Sequence, residues 1–195
     1  MNTAKIPTEI PHLVPFLVGL LCLALQLVGL EEAVRFDRAS VAEGHVWLLL
    51  TGNFVHLGWS HFVMNMLGLG LIYWVVWDSY RDLEWILILI LSALGVGLGL
   101  YFFSPDIHWY VGFSGILHGL ILAGALGGLK RYPKTHVLLL TVTIAKLVWE
   151  QWYGPVPGSE SNVGGKVAVD SHLYGGIAGL VAAGGIYFFK RYRAR

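Results

Sequence analysis

Ser114 and His118 stand four residues apart in YVGFSGILHGLILAG, residues 110–124, an otherwise apolar and glycine-rich run. A serine hydroxyl becomes a useful nucleophile only when a base takes its proton. A neutral imidazole is the usual base at about pH 7. Two other stretches carry residues suited to the same chemistry. FVHLGWSHFVMN, residues 54–65, holds His56, His61 and Asn65, and VDSHLYGGIAGL, residues 169–180, holds His172. His61 and Asn65 are four apart and share one face of a helix. Acyl transfer also needs donors aimed at a developing oxyanion, which Asn and His side chains can supply. A nucleophile, a base and oxyanion donors are therefore present, on three separate segments.

The elements that must bring them together are helices in a membrane. Of the 195 residues, 56% are hydrophobic and 13% charged, against about 25% charged in soluble domains. The length suits one domain over residues 1–195. A net charge of +1 points to no nucleic-acid partner. Cys22 is the only cysteine, so neither an intrachain disulfide nor a cysteine zinc site is expected. A span needs roughly 20 mostly apolar residues, and six candidates appear at 13–30, 54–77, 85–103, 111–129, 136–153 and 171–189. The fifth is the weakest because Lys146 interrupts it. No strand alternation, repeat or soluble domain is evident. The first span lacks a small-x-small cleavage site after its apolar run and reads as a retained helix rather than a signal peptide.

Basic residues set an orientation. With the N-terminus in the cytoplasm, Lys5, Arg81, Lys130, Arg131, Lys134, Lys190, Arg191, Arg193 and Arg195 fall on that side, nine in all. Arg35, Arg38 and Lys166, three, fall on the other. Both termini are then cytoplasmic. Residues 31–53 form a partly amphipathic outer loop, and residues 154–170 a flexible one. Trp149, Trp152 and Tyr153 fit an aromatic belt at the outer end of the fifth span. In this orientation His61, Asn65, Ser114 and His172 all lie in the outer part of the membrane, where strongly polar residues are costly and functional by default. Glycine is 25 of 195 residues, well above the usual share of about 7%, which favours close helix packing. Gly175 and Gly179 sit one and two turns below His172. Packed on Gly115 and Gly119 of the fourth span, they would set His172 beside Ser114.

With these residues in view, the chain resembles the rhomboid family of intramembrane serine proteases. The resemblance runs from about His56 to Gly179 and rests on HLGWSHFVMN, GFSG and HLYGGIAG, in this order and on these helices. It implies an all-α, six-transmembrane-helix bundle. It implies Ser114 as nucleophile, His172 as general base, and an oxyanion hole of His61, Asn65 and the Ser114 backbone N–H. Gly112, Gly115, Gly175 and Gly179 support the site, and His56 matches a family position beside it in the sequence pattern. The family works with a Ser-His dyad and no carboxylate, so Asp170 is expected to be a solvated loop residue. Where members often carry a tyrosine packed on the catalytic imidazole, this chain has His118, which is similar to the rhombosortase subgroup. That subgroup implies no cofactor or metal, a monomer in a bacterial inner membrane and a site open to the periplasm. Its implied substrates are secreted proteins carrying a C-terminal Gly-Gly, helix and basic-tail sorting segment.

Plainer readings stand beside these. Ser114 could bond the carbonyl four residues back. His118 could act as the base, although packing beside His172 suits it better. His61 and Asn65 could bridge helices. His12, His45, His108 and His136 read as solvated or interfacial, and Lys146 and Glu150, four apart, as a structural pair. The chain could be a general rhomboid protease with other transmembrane substrates, or a pseudoprotease that only binds membrane segments. A metal held by His56, His61, His118 and His172 is disfavoured, since no H-E-x-x-H pattern occurs.

Overall fold

Proline and glycine mark both ends of the first and fifth apolar runs, at Pro15 and Gly29 and at Pro133 and Gly154, and the core of each run is helical. A computed structural model describes residues 13–193; Lys5, His12 and Arg195, which entered the reading of charge and solvation, lie outside them. Helix α1, Val14–Val28, has Pro15 in its first turn and stops at Gly29, whose φ of 71° is left-handed. Three short helices follow in the first outer segment, α2 (Glu31–Val34), α3 (Arg38–Ala42) and α4 (Leu48–Thr51). The long helices α5 (Trp59–Val76), α6 (Asp82–Phe103), α7 (Ser114–Gly128), α8 (Pro133–Tyr153) and α10 (Val169–Arg193) make the bundle, with the short α9 (Ser159–Val163) between the last two.

Several boundaries differ from the sequence expectation for a physical reason. The 54–77 run does not start as a helix: His56 lies in the extended segment before α5. The 111–129 run begins its helix only at Ser114, because Gly112 takes φ 133°. Residues 154–170 contain α9 rather than an unbroken loop, and Ser60 Oγ on α5 donates to the Asn162 carbonyl. There is also a strand pair, β1 (Phe36–Asp37) against β2 (Trp109–Tyr110), antiparallel, with Phe36 opposite Tyr110. Two residues per strand are too few to show alternation. Arg38, just after β1, donates to the carbonyls of Leu100, Tyr101, Ser104 and Ile107 at 2.6–3.1 Å. It thereby caps the open C-terminal end of α6.

Among the described residues, three helical stretches are long and apolar enough to cross a membrane: 59–79, 82–103 and 169–193. At about 1.5 Å per residue, the 22 residues of α6 reach about 33 Å, close to a bilayer's hydrocarbon thickness. Helices α1 and α7 are apolar but 15 residues each. Helix α8 has the length, but Lys146, Glu150 and Gln151 dilute its apolar character. Leu17, Leu67, Trp74, Phe102, Val181 and Phe188 are all more than half exposed. So extensive an exposed apolar surface would be a liability in water and is the solvated face of a protein in lipid.

The core is built around α10, which packs chiefly on α7 and α6. A Cβ on Gly175 would run into the Gly115 carbonyl, and one on Gly179 into that of Gly119. On the α6 side, a Cβ on Gly119 would strike Ser92 Oγ. Small residues are thus what let α6, α7 and α10 approach backbone to backbone.

Candidate active site

Ser114 is the first residue of α7, so no helical carbonyl lies four residues behind it for its hydroxyl to bond. Its Oγ lies 2.9 Å from Nε2 of His172, the fourth residue of α10. The Gly115–Gly175 and Gly119–Gly179 approaches fix that distance, since each draws α10 onto the turn of α7 that carries the serine. His172 is buried. The ring of His118 stacks on it with centroids 4.3 Å apart and 21° between planes.

The histidine tautomers follow from their partners. His118 Nδ1–H donates to the Ser114 carbonyl at 2.8 Å, since a carbonyl can only accept. Its Nε2 then accepts from Lys146 Nζ at 3.0 Å. His172 Nδ1–H donates to Glu150 Oε2 at 2.8 Å, which leaves the Nε2 lone pair for Ser114 Oγ–H. Lys146 Nζ also donates to Glu150 Oε1 at 2.6 Å. The expected Lys146–Glu150 pair is therefore present, but Glu150 continues from it to His172. This carboxylate is the residue that sequence reasoning missed. Asp170, expected to be solvated, instead accepts from Ser104 Oγ at 2.5 Å, and Ser104 also bonds the Tyr174 hydroxyl at 2.9 Å.

These groups line a cavity of about 850 Å³, walled also by α5, by residues 106–111 and by α9 with the segment after it. His61, Asn65, Ser114, His118, Lys146 and His172 all face it. The Leu57 backbone N–H donates to His61 Nδ1 at 3.4 Å, so His61 carries its proton on Nε2. That nitrogen lies against Gly112, where a Cβ would come within 3.0 Å of it. Asn65 is buried, and its Nδ2 has no hydrogen-bond partner among the described residues. His56 lies behind them, buried, edge-on to His61 at 5.1 Å and to Phe62 at 5.5 Å. It belongs to the wall of the site and not to its lining.

His45 and His108 are exposed, but His136 is buried under α7, against Gly128, with Nδ1 donating to the Tyr132 carbonyl at 3.0 Å. The expectation of solvation fails for His136 because helix α8 begins at Pro133, one turn ahead of it. His118, Glu150 and His172 bring ligand-type atoms within 4.8 Å of one another. A cation would have to displace Lys146 Nζ, which already holds His118 and Glu150. The donor set therefore fits a hydrogen-bonded network better than a metal.

A mostly helical membrane protein with a half-buried serine and a buried histidine meeting at a cavity is the class that fold and site define. The Rhomboid domain model matches residues 43–189, most of the chain, and the protein belongs to the rhomboid family, whose members are intramembrane serine proteases. No curated protein matches the chain.

Proposed function

We propose that this protein is an intramembrane serine protease acting through Ser114 and His172. The observation that carries the reading is the 2.9 Å approach of Ser114 Oγ to His172 Nε2 at the edge of the cavity. In the first step Ser114 Oγ attacks the scissile carbonyl carbon while His172 Nε2 takes the hydroxyl proton. The carbonyl π pair moves to oxygen. Asn65 Nδ2, His61 Nε2–H and the Ser114 backbone N–H, unbonded within its helix as the first N–H of α7, receive the oxyanion. The tetrahedral adduct collapses, the C–N bond breaks, and His172 returns the proton to the leaving amine. Water or an amine then resolves the acyl-enzyme.

In this reading six spans cross a bacterial inner membrane with both termini cytoplasmic, and the cavity opens to the periplasm. Helices α1 and α7 complete their spans with flanking residues, and the polar groups of α8 face the site. His118 in GFSGILHG supports the rhombosortase subgroup. The substrates are then transmembrane C-terminal sorting segments of the Gly-Gly type, whose removal releases a secreted protein. Small residues at the cleavage point suit a serine held at the first turn of a packed helix. The enzyme works as a monomer.

The test is cleavage of a Gly-Gly-tailed reporter in proteoliposomes by wild type, Ser114→Ala and His172→Ala. Cleavage by wild type alone is expected. Full activity in Ser114→Ala would sink the mechanism. Cleavage only of transmembrane reporters lacking the Gly-Gly tail would leave a general rhomboid protease.

A further inference from the structure

We infer that Glu150 is the positioning carboxylate of a Ser114–His172–Glu150 triad, oriented in turn by Lys146. The inference deepens the protease reading above and rests on it.

Four hydrogen bonds form one connected network that converges on Glu150. Lys146 Nζ donates to Glu150 Oε1, His172 Nδ1–H donates to Glu150 Oε2, Ser114 Oγ–H donates to His172 Nε2, and Lys146 donates again to His118 Nε2. Lys146 and Glu150 are one helical turn apart on α8, which places both on the face that meets α7 and α10. Glu150 is buried and both its oxygens are engaged. A buried carboxylate with two charge-assisted partners is held in one orientation.

That orientation decides the tautomer of the base. With Nδ1–H given to Glu150, only Nε2 has a lone pair, and it faces the serine. During attack the Ser114 proton moves to Nε2 while the Nδ1 proton stays on His172. The imidazolium so formed sits against the carboxylate, which offsets its charge. His118 cannot substitute as base, because its Nδ1–H is given to a carbonyl and its Nε2 is occupied by Lys146.

The arrangement gives a specific expectation for Glu150→Gln. The glutamine oxygen turns to Lys146, as the ammonium offers only donors. The amide NH2 then faces His172 Nδ1 and donates to it. This forces the Nε2–H tautomer, which cannot accept the serine proton. Removing the ammonium as well, in Lys146→Met/Glu150→Gln, lets the amide rotate so that its oxygen again accepts Nδ1–H. A carboxylate that served only packing would show no such recovery.

The readout is phosphonylation of Ser114 by a fluorophosphonate in detergent micelles. Oγ–P forms, P–F breaks with fluoride leaving, and the proton passes to His172, so no natural substrate is needed. Expected are a fall in the maximal labelling rate of about 100- to 10,000-fold for Glu150→Gln, reagent affinity within about threefold of wild type, and at least a tenfold recovery in the double variant. A wild-type rate in folded Glu150→Gln, or no recovery in a folded double variant, would overturn the inference and leave the protease reading standing. Undiminished labelling of Ser114→Ala would overturn both. Independently of any variant, 15N spectra of histidine-labelled wild type should show His172 as the Nδ1–H tautomer, and an Nε2–H signal would refute the triad. EDTA should leave the rate unchanged, whereas a rate lost to EDTA and restored by zinc would reassign His118, Glu150 and His172 as metal ligands.

Discussion

The rings of His118 and His172 lie face to face, 4.3 Å between centroids, yet only His172 directs a nitrogen at Ser114 Oγ. His118 sits on the same helix as the serine and holds the serine's own carbonyl, so its position is fixed by α7 itself. It supplies the surface against which His172 is stacked.

From this relationship His118→Phe should retain a large share of the rate, because the ring face is kept. His118→Ala should lose roughly tenfold or more, on the scale of about 0.5–1.5 kcal/mol for an aromatic pair together with a looser base. His172→Ala should be inactive. Rates of reporter cleavage or fluorophosphonate labelling decide it. An active His172→Ala beside an inactive His118→Phe would reverse the two roles.

The glycine contacts of α10 separate into tight and open positions. A Cβ at residue 179 would strike the Gly119 carbonyl, while one at Gly185 meets nothing within 4 Å. Gly179→Ala should therefore destabilise the bundle by about 1–3 kcal/mol, as overpacking does, and slow catalysis by moving His172 from Ser114. Gly185→Ala should be neutral or stabilising by up to about 1 kcal/mol, from helix propensity. Unfolding midpoints in detergent test both, and equal effects at the two sites would contradict the packing.

Much of this architecture is legible in the sequence because apolar runs and small-xxx-small pairs are local signals. The Gly175–Gly179 spacing is what places His172 at Ser114, and it can be read without coordinates. Glu150 could not be read that way. Its spacing from Lys146 offers a complete local partner, so nothing in the chain signals that its second oxygen reaches another helix. The one hint was a carboxylate and an ammonium together in an otherwise apolar run, where an ion pair is expensive unless a further group uses it. Asp170 is the acid nearest His172 in the sequence, but its neighbour in space is Ser104. The β1–β2 pair was invisible because two residues per strand leave no period to detect.

Arg38 joins the first outer segment to α6 through four carbonyls. Its guanidinium presents donors in several directions at once, which a lysine ammonium on a flexible stem does not match. Arg38→Ala should cost about 2–3 kcal/mol, the worth of about one charged hydrogen bond, and Arg38→Lys should recover less than half of that. Thermal unfolding and proteolysis of the 31–53 segment are the measurements. Full stability in Arg38→Ala would mean that the β1–β2 pair and the packing of α4 on α6 hold the segment without it.

Asn65 offers the sharpest separation of catalysis from folding. Its Nδ2 is buried and makes no hydrogen bond within the described residues, although buried donors are normally paired. It faces the same cavity as Ser114, next to His61 one turn earlier on α5. A donor kept unpaired in the resting site gains its partner only when negative charge develops on the substrate oxygen, which is the condition for stabilising a transition state and not the ground state. Asn65→Ala should thus lower kcat by about 100- to 1,000-fold, the usual loss for one oxyanion donor. KM should stay within about threefold and the unfolding midpoint should not fall, since no folded-state hydrogen bond of that nitrogen is removed. His61→Ala should cost rate and stability together, because its Nδ1 also accepts from the Leu57 backbone. If Asn65→Ala instead raised KM at unchanged kcat, the side chain would be a substrate-binding contact and the oxyanion would rest on His61 and the Ser114 N–H.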